Sequence, residues 1–102
     1  MQDDLIEQYR EMAKANPEDD LAQFALGQAL LNAARPAEAV PVFRHVIRVN
    51  PRYTRAYILL GHALAQDEDE EGAIEAWQLG FHASQKQGTL MNAEEARREL
   101  VK

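Results

Sequence analysis

The side chains that most resemble a reactive site are the five consecutive acids of residues 67–71, which are followed by Gly72. Carboxylates at alternate positions ahead of a glycine imitate the start of a calcium-binding loop. The position that would need a bidentate glutamate is Gln78, however, and residues 72–78 fit a helix. We therefore predict a solvated turn without a metal, whose later acids stabilise the positive end of the next helix.

Residue types that serve catalysis are scarce. The chain has one serine, no cysteine and no glycine-rich phosphate loop. Its histidines, His45, His62 and His82, show no i,i+4 pairing of the kind that builds a metal site. Because cysteine is absent, disulfides and Cys-based zinc sites are excluded. The sequence predicts a protein that is not an enzyme, with no metal and no cofactor.

The charge is distributed in bands. Residues 1–34 sum to −5, residues 35–66 to +4 and residues 67–102 to −5, so the chain carries −6 in total. This balance argues against nucleic acid as the main partner, because phosphate binding needs clustered cations. No apolar run is long enough to cross a bilayer, and the acidic N-terminus is the reverse of a secretory signal. We predict a cytoplasmic protein with no membrane partner.

Apolar residues recur at helical spacing in six segments. We predict helices at residues 2–15, from 18–20 to about 33, 36–49, 53–66, from the acidic run to Gly88, and 90–101. Prolines and Gly88 mark the ends, and Thr89 is a natural N-cap for the last helix. All connections are short, so consecutive helices should be antiparallel neighbours.

The chain repeats itself after 34 residues, and a period of this length is the mark of a stacked repeat architecture. The coinciding pairs include Leu26/Leu60, Gly27/Gly61, Leu30/Leu64, Ala39/Ala73, Phe43/Trp77 and Pro17/Pro51. A mid-helix glycine costs about 1 kcal/mol relative to alanine, so Gly27 and Gly61 predict close helix crossings. We expect the alanine of each repeat to lie opposite its glycine, with the aromatic residue between successive layers.

This pattern resembles the tetratricopeptide repeat, a helix–turn–helix unit of 34 residues, and departs from it at Gln23, Ala34 and Gln85. The resemblance implies an all-α solenoid of antiparallel helix pairs. Residues 1–17 would be the second helix of a preceding repeat, 18–51 and 52–87 two full repeats, and 88–102 a capping helix.

In tetratricopeptide arrays the first helix of each repeat lines the concave side, so the resemblance implies a protein or peptide ligand in a concave groove. Phe24, Leu31 and Ile58 would form its apolar floor, and Arg55 would be its cation. The predicted groove residues are Leu21, Phe24, Gln28, Leu31, Asn32, Arg55, Ile58, His62 and Gln66. Alternatively, the capping helix or a neighbouring subunit covers this face. A self-associating scaffold, built through end faces or contacts between the basic and acidic bands, is the other hypothesis.

Overall fold

The computed structural model describes residues 2–102, and this part of the chain forms six α-helices and no strand. The helices are α1 (Gln2–Ala15), α2 (Asp20–Asn32), α3 (Pro36–Val49), α4 (Thr54–Gln66), α5 (Glu70–Gln87) and α6 (Leu90–Leu100). The predicted all-α class is confirmed, and the predicted helix boundaries agree to within a residue or two. Met1, the first residue of the predicted half repeat, lies outside the described residues.

Short polar residues and one glycine determine where helices begin and end. The Asp19 carboxylate accepts hydrogen bonds from two backbone N–H groups in the first turn of α2, at 3.1 and 3.2 Å. Asp69 caps α5 in the same way through the N–H of Gly72, at 2.9 Å. The acidic run is therefore a helix-capping turn, as predicted. Gly88 ends α5 in the left-handed conformation, with φ at 75°.

Thr89 occupies the N-cap position of α6, but its side chain makes no capping hydrogen bond. Its hydroxyl instead donates to the carbonyl of Ser84 at 3.3 Å, and its backbone N–H donates to the same oxygen at 2.9 Å. Thr89 is therefore the N-cap residue, as predicted. Its side chain bonds α5 instead of α6, because the left-handed turn at Gly88 brings Thr89 onto an open carbonyl at the end of α5.

The helices form two rows in a curved stack. Each helix contacts its neighbour along the chain. In addition the backbones of α2 and α4, and of α4 and α6, come close together, whereas those of α1, α3 and α5 lie farther apart in the described residues. α1 and α3 are joined at the side-chain level, where Arg10 Nη2 donates to Glu38 Oε1 at 3.4 Å. The row α2, α4 and α6 therefore lies on the inner, concave side, and the row α1, α3 and α5 on the outer, convex side.

The 34-residue period extends to the backbone. Ala34 and Glu68, which follow α2 and α4, are the non-glycine residues with positive φ in the described chain, at 58° and 64°. The residue after each donates its N–H to the carbonyl five positions earlier, at 2.9 and 2.8 Å. The two helical hairpins thus turn through the same geometry, although alanine replaces the usual turn glycine in the first.

The middle glycines of α2 and α4 allow close approach of an aromatic ring. A Cβ atom on Gly27 would lie 2.7–3.0 Å from three ring atoms of Phe43. A Cβ atom on Gly61 would overlap the indole of Trp77. Both contacts are closer than packed carbon atoms tolerate, so each position requires glycine.

Ala39 and Ala73 are buried, but they are not the nearest groups to these glycines. The aromatic side chain of the partner helix reaches across to each glycine and makes the nearest contacts. The position of the alanines opposite the glycines stays a prediction. The close crossing itself is present.

Gln23, which stands in the tryptophan position of the family pattern, is buried. Its Nε2 donates to the carbonyl of Ala13 at 3.2 Å and to that of Pro17 at 3.4 Å. These bonds satisfy the buried amide and tie the end of α1 to α2.

Candidate binding face

The inner row contains the nine predicted groove residues, and α2 supplies five of them. Leu21 is 66% exposed, and Gln28 and Asn32 are also exposed. Phe24 and Leu31 are half-buried and pack against the core. This half of the inner face therefore combines open apolar surface with two amide side chains that make no hydrogen bond within the described chain.

Tyr53 borders this face and was not among the residues predicted from the sequence. The ring of Phe24 stacks on Tyr53 with centroids 4.8 Å apart and planes at 25°, and it lies 5.8 Å from the ring of Phe43. Burial, and then the nearby charge of Asp20, raise the pKa of the Tyr53 hydroxyl, which stays protonated. The sequence does place an aromatic residue directly before α4, and this was the signal that could have predicted the contact. The stack holds Phe24 at the edge of the face.

The α4 half of the inner face is joined to α6 by one carboxylate. Arg55 Nη1 lies 2.6 Å from Glu95 Oε1, and His62 Nε2 lies 2.8 Å from Glu95 Oε2. Asn92 donates to the hydroxyl of Thr54 at 3.1 Å, adding a second link between these helices. Arg55, the predicted cation of the groove, is thus already paired with an anion that α6 supplies.

Ile58 is 0% exposed, so the expectation that it forms part of an open groove floor is wrong. Its side chain lies beside Gly80 of α5, where an added Cβ would come within 3.2 Å of Ile58 Cγ1. Packing of α4 on α5 therefore uses this side chain fully. Gln66, at the end of α4, is exposed.

Glu95 has a pKa below its ordinary value of 4.5. Burial of the carboxyl acts to raise this pKa, but the hydrogen bonds from Arg55 and His62, together with their charges, outweigh it. The folded protein therefore favours the ionised carboxylate, and the ion pair stabilises the packing of α6 on α4.

We expect Glu95→Gln to lower the unfolding free energy by about 1 kcal/mol at neutral pH, the scale of partly exposed charged hydrogen bonds. Because the pKa of Glu95 is depressed on folding, this contribution is complete above the ordinary value and is lost as pH falls through the folded pKa. The difference between the two proteins should shrink with acid in urea titrations from neutral to about pH 3.

Arg55→Gln is the matched control for this measurement, since it removes a hydrogen bond that depresses the pKa of Glu95. In that background, Glu95→Gln should have a smaller and less pH-dependent effect. A stability difference that is independent of pH would contradict the assignment.

No group of three His, Cys, Asp or Glu side chains within residues 2–102 is arranged to hold a metal ion. In the same part of the chain, no helix has the length and apolarity needed to cross a membrane.

The fold and the repeated glycine–aromatic contacts define a class of helical repeat protein. The sequence model of the tetratricopeptide repeat family matches residues 6–44 and 24–85. The chain therefore belongs to the tetratricopeptide repeat family. This fold generally mediates protein–protein interaction, and its members are typically non-enzymatic interaction modules.

Similar proteins match this chain over most of its length. A TPR repeat-containing protein of Pseudomonas aeruginosa, PA0015, is 27% identical over 84 residues, which cover 82% of this chain and 80% of that protein. The solution structure of BPP2914 from Bordetella parapertussis superposes with a TM-score of 0.82 at 27% identity, covering 94% of this chain and 84% of that one. A tetratricopeptide repeat domain protein from Salinibacter ruber gives 0.75 at 23% identity, covering 84% and 87%.

Proposed function

We propose that this protein is a non-enzymatic interaction module that binds a peptide or partner protein on the α2 half of its concave face. The face consists of Leu21, Phe24, Gln28, Leu31 and Asn32, which we call the α2 face.

The observation that carries the proposal is a difference between two equivalent helices. Positions of α2 and α4 that are 34 residues apart occupy the same place in the repeat. In α4, Arg55 and His62 bind Glu95 of α6, and Ile58 is buried. Their α2 equivalents, Leu21 and Gln28, remain exposed. An apolar surface that the fold does not use, next to amides that it leaves without partners, is typical of a binding surface.

The side chains of the α2 face favour a ligand with an apolar anchor and free backbone amides. Leu21 and the half-buried Phe24 and Leu31 would contact an aliphatic or aromatic side chain, and Gln28 and Asn32 can each donate and accept hydrogen bonds. No cation of α2 lies on this face, so a carboxylate on the ligand is not required for binding here. The predicted role of Arg55 in anion recognition would need displacement of Glu95.

Peptides that bind the parent protein can be selected from a random library on the immobilised protein. We expect their affinity for the Leu21→Glu variant to be lower by about tenfold or more, since an anchor in a binding site is worth about 2 kcal/mol. Ile74→Glu is the matched control, because Ile74 is an exposed apolar side chain of the outer row. Fluorescence anisotropy with the synthesised peptides would measure both affinities, and circular dichroism would verify that both variants are folded.

Loss of binding on Ile74→Glu with full binding to Leu21→Glu would transfer the site to the convex side and overturn the proposal. A selection that yields no peptide above background would count against peptide recognition at the α2 face.

A further inference from the structure

A second groove lies on the outer row, where α5 passes the α3–α4 connection. It encloses about 560 Å³, and Tyr57 and Leu79 form its apolar floor. A smaller groove between α3 and α5 shares these two residues and extends the surface to Arg44 and Ile47. Leu79 is 51% exposed, so an apolar side chain remains open at the centre of this surface. We call the whole surface the outer groove.

Hydrogen bonds hold the walls of the outer groove in place. The hydroxyl of Tyr57 donates to the carbonyl of Pro51 at 3.0 Å. Gln87 Nε2 donates to the carbonyl of Arg52 at 3.0 Å, which ties the end of α5 to the α3–α4 connection. The groove is therefore preformed, and its occupation needs no rearrangement of the helices.

The outer groove is basic in an acidic protein. Arg52, Lys86 and His82 line the larger part, which has no carboxylate among its lining residues. Arg44 and Glu75 line the smaller part, so the cations of the whole groove outnumber its one carboxylate. Arg44, Arg52 and Lys86 form no ion pair with the described residues, whereas Arg10, Arg35, Arg55, Arg97 and Lys102 all do. Unpaired cations around an apolar floor are complementary to an acidic segment that carries apolar side chains.

The outer face of α1 has this chemistry. Leu5 and Met12, two turns apart, are 45% and 51% exposed, although the residues that follow them, Ile6 and Ala13, are buried in the core. Asp4 and Glu11 lie along the same outer face, both exposed and without an ion pair among the described residues. An amphipathic helix of this kind can dock its apolar side chains into a groove.

Two other exposed segments fit the groove less well. The acidic turn at residues 67–71 consists only of carboxylates and offers nothing to the apolar floor. Leu90 and Met91 of α6 are strongly exposed, and Glu94, Glu95 and Arg98 lie beside them. Both of these carboxylates are already paired within the chain, and Arg98 would meet the groove's own cations. Among the described residues, α1 packs on α2 and its Arg10 reaches Glu38 of α3, whereas the larger part of the outer groove is lined by residues 51–57 and 79–87. α1 therefore cannot occupy the outer groove of its own chain.

We propose that the outer groove binds the outer face of α1 from a second copy of this chain. Leu5 and Met12 of one copy pack on Tyr57 and Leu79 of the next, and Asp4 and Glu11 pair with Arg52 and Lys86. The two surfaces are different, so the contact is heterologous, and each added copy presents a fresh groove and a fresh α1 face. Association then proceeds to short chains of molecules rather than stopping at a symmetric dimer.

Complementation between two variants tests this arrangement. Arg52→Glu with Lys86→Glu destroys the groove but leaves α1 intact, and Leu5→Glu with Met12→Glu does the reverse. In sedimentation velocity up to millimolar concentration, the parent should show an average mass that rises with concentration, and each double variant alone should stay monomeric. An equimolar mixture of the two should form a species of two chains and no larger one.

Salt screens the specific pairing of these charges, but it also screens the general repulsion between copies that each carry a charge of −6. Exchanging the charges of the two surfaces separates these effects. Asp4→Lys with Glu11→Lys should abolish self-association of that variant, and adding Arg52→Glu with Lys86→Glu to the same chain should restore it, because both surfaces are then reversed. Leu90→Glu with Met91→Glu is the control and should associate like the parent. Circular dichroism would verify that each variant is folded.

Three results would overturn the proposal. The parent could remain monomeric at every concentration, the groove variant could associate like the parent, or the mixture could form no pair. Loss of association on Glu70→Lys with Glu71→Lys, but not on Leu5→Glu with Met12→Glu, would identify the acidic turn as the occupant and also overturn the assignment to α1.

Discussion

Phe43→Ala is expected to lower the unfolding free energy by about 3–5 kcal/mol, the cost of deleting a buried aromatic side chain. The ring of Phe43 is fully buried and fills the space left by the missing side chain of Gly27. Since small domains are stable by only about 5–15 kcal/mol, this variant should unfold at a much lower urea concentration.

The same contact predicts that one substitution changes sign with its background. In the parent, Gly27→Ala forces a methyl group against the Phe43 ring and should destabilise. In Phe43→Ala the ring is absent, and the better helix propensity of alanine should make Gly27→Ala stabilising by about 1 kcal/mol. A double-mutant cycle in urea measures this coupling. If Gly27→Ala had the same effect in both backgrounds, the ring could not be the group that excludes a side chain.

Gly61→Leu should destabilise by about 3 kcal/mol, the upper part of the range for overpacking a core. Even a Cβ at this position overlaps the indole of Trp77. The indole has little freedom to withdraw, because its Nε1–H donates to the carbonyl of Ile58 at 3.2 Å. Loss of this buried hydrogen bond would add to the cost. Urea unfolding followed by tryptophan fluorescence would report both stability and the environment of Trp77.

Gly80→Ala is the matched control for Gly61→Ala, since each change adds one methyl group to a helical glycine and Gly80 of α5 has more room. Its added Cβ would lie 3.1 Å from Tyr57 Cβ and 3.2 Å from Ile58 Cγ1, contacts that small shifts can relieve. We expect it to fall within about 1 kcal/mol of the parent, because the gain in helix propensity offsets the tight contact. Equal losses for Gly61→Ala and Gly80→Ala would contradict the importance of the indole contact.

The fold was predictable because the period was visible in several residue types at once. Glycine, alanine, leucine and aromatic residues coincided at an offset of 34, and prolines marked the helix ends. The contact of each glycine was less predictable. Sequence spacing shows which residues face a neighbouring helix. Which of them makes the nearest contact depends on side-chain size, and the large ring of Phe43 makes it at Gly27.

The candidate site was less predictable because its last helix leaves the repeat. α5 has 18 residues where its counterpart α3 has 14, so α6 is displaced from the 34-residue register. An offset of 34 therefore could not show that Glu95 would reach Arg55 and His62. The burial of Ile58 was not predicted for the same reason. The pattern assigns this residue to a face of α4 but does not show what covers that face.

In the described residues, every helix contacts only helices that are one or two places away along the chain. This arrangement also determines how the protein folds. No contact requires distant parts of the chain to meet first, so the entropy lost in closing loops stays small. Helical proteins with such local contacts fold on the order of microseconds to milliseconds. Each completed hairpin offers a surface to the next, so the ordered region can grow from either hairpin toward both ends. The slow, long-range pairing that exposes many β-sheet proteins to aggregation during folding has no counterpart in this chain.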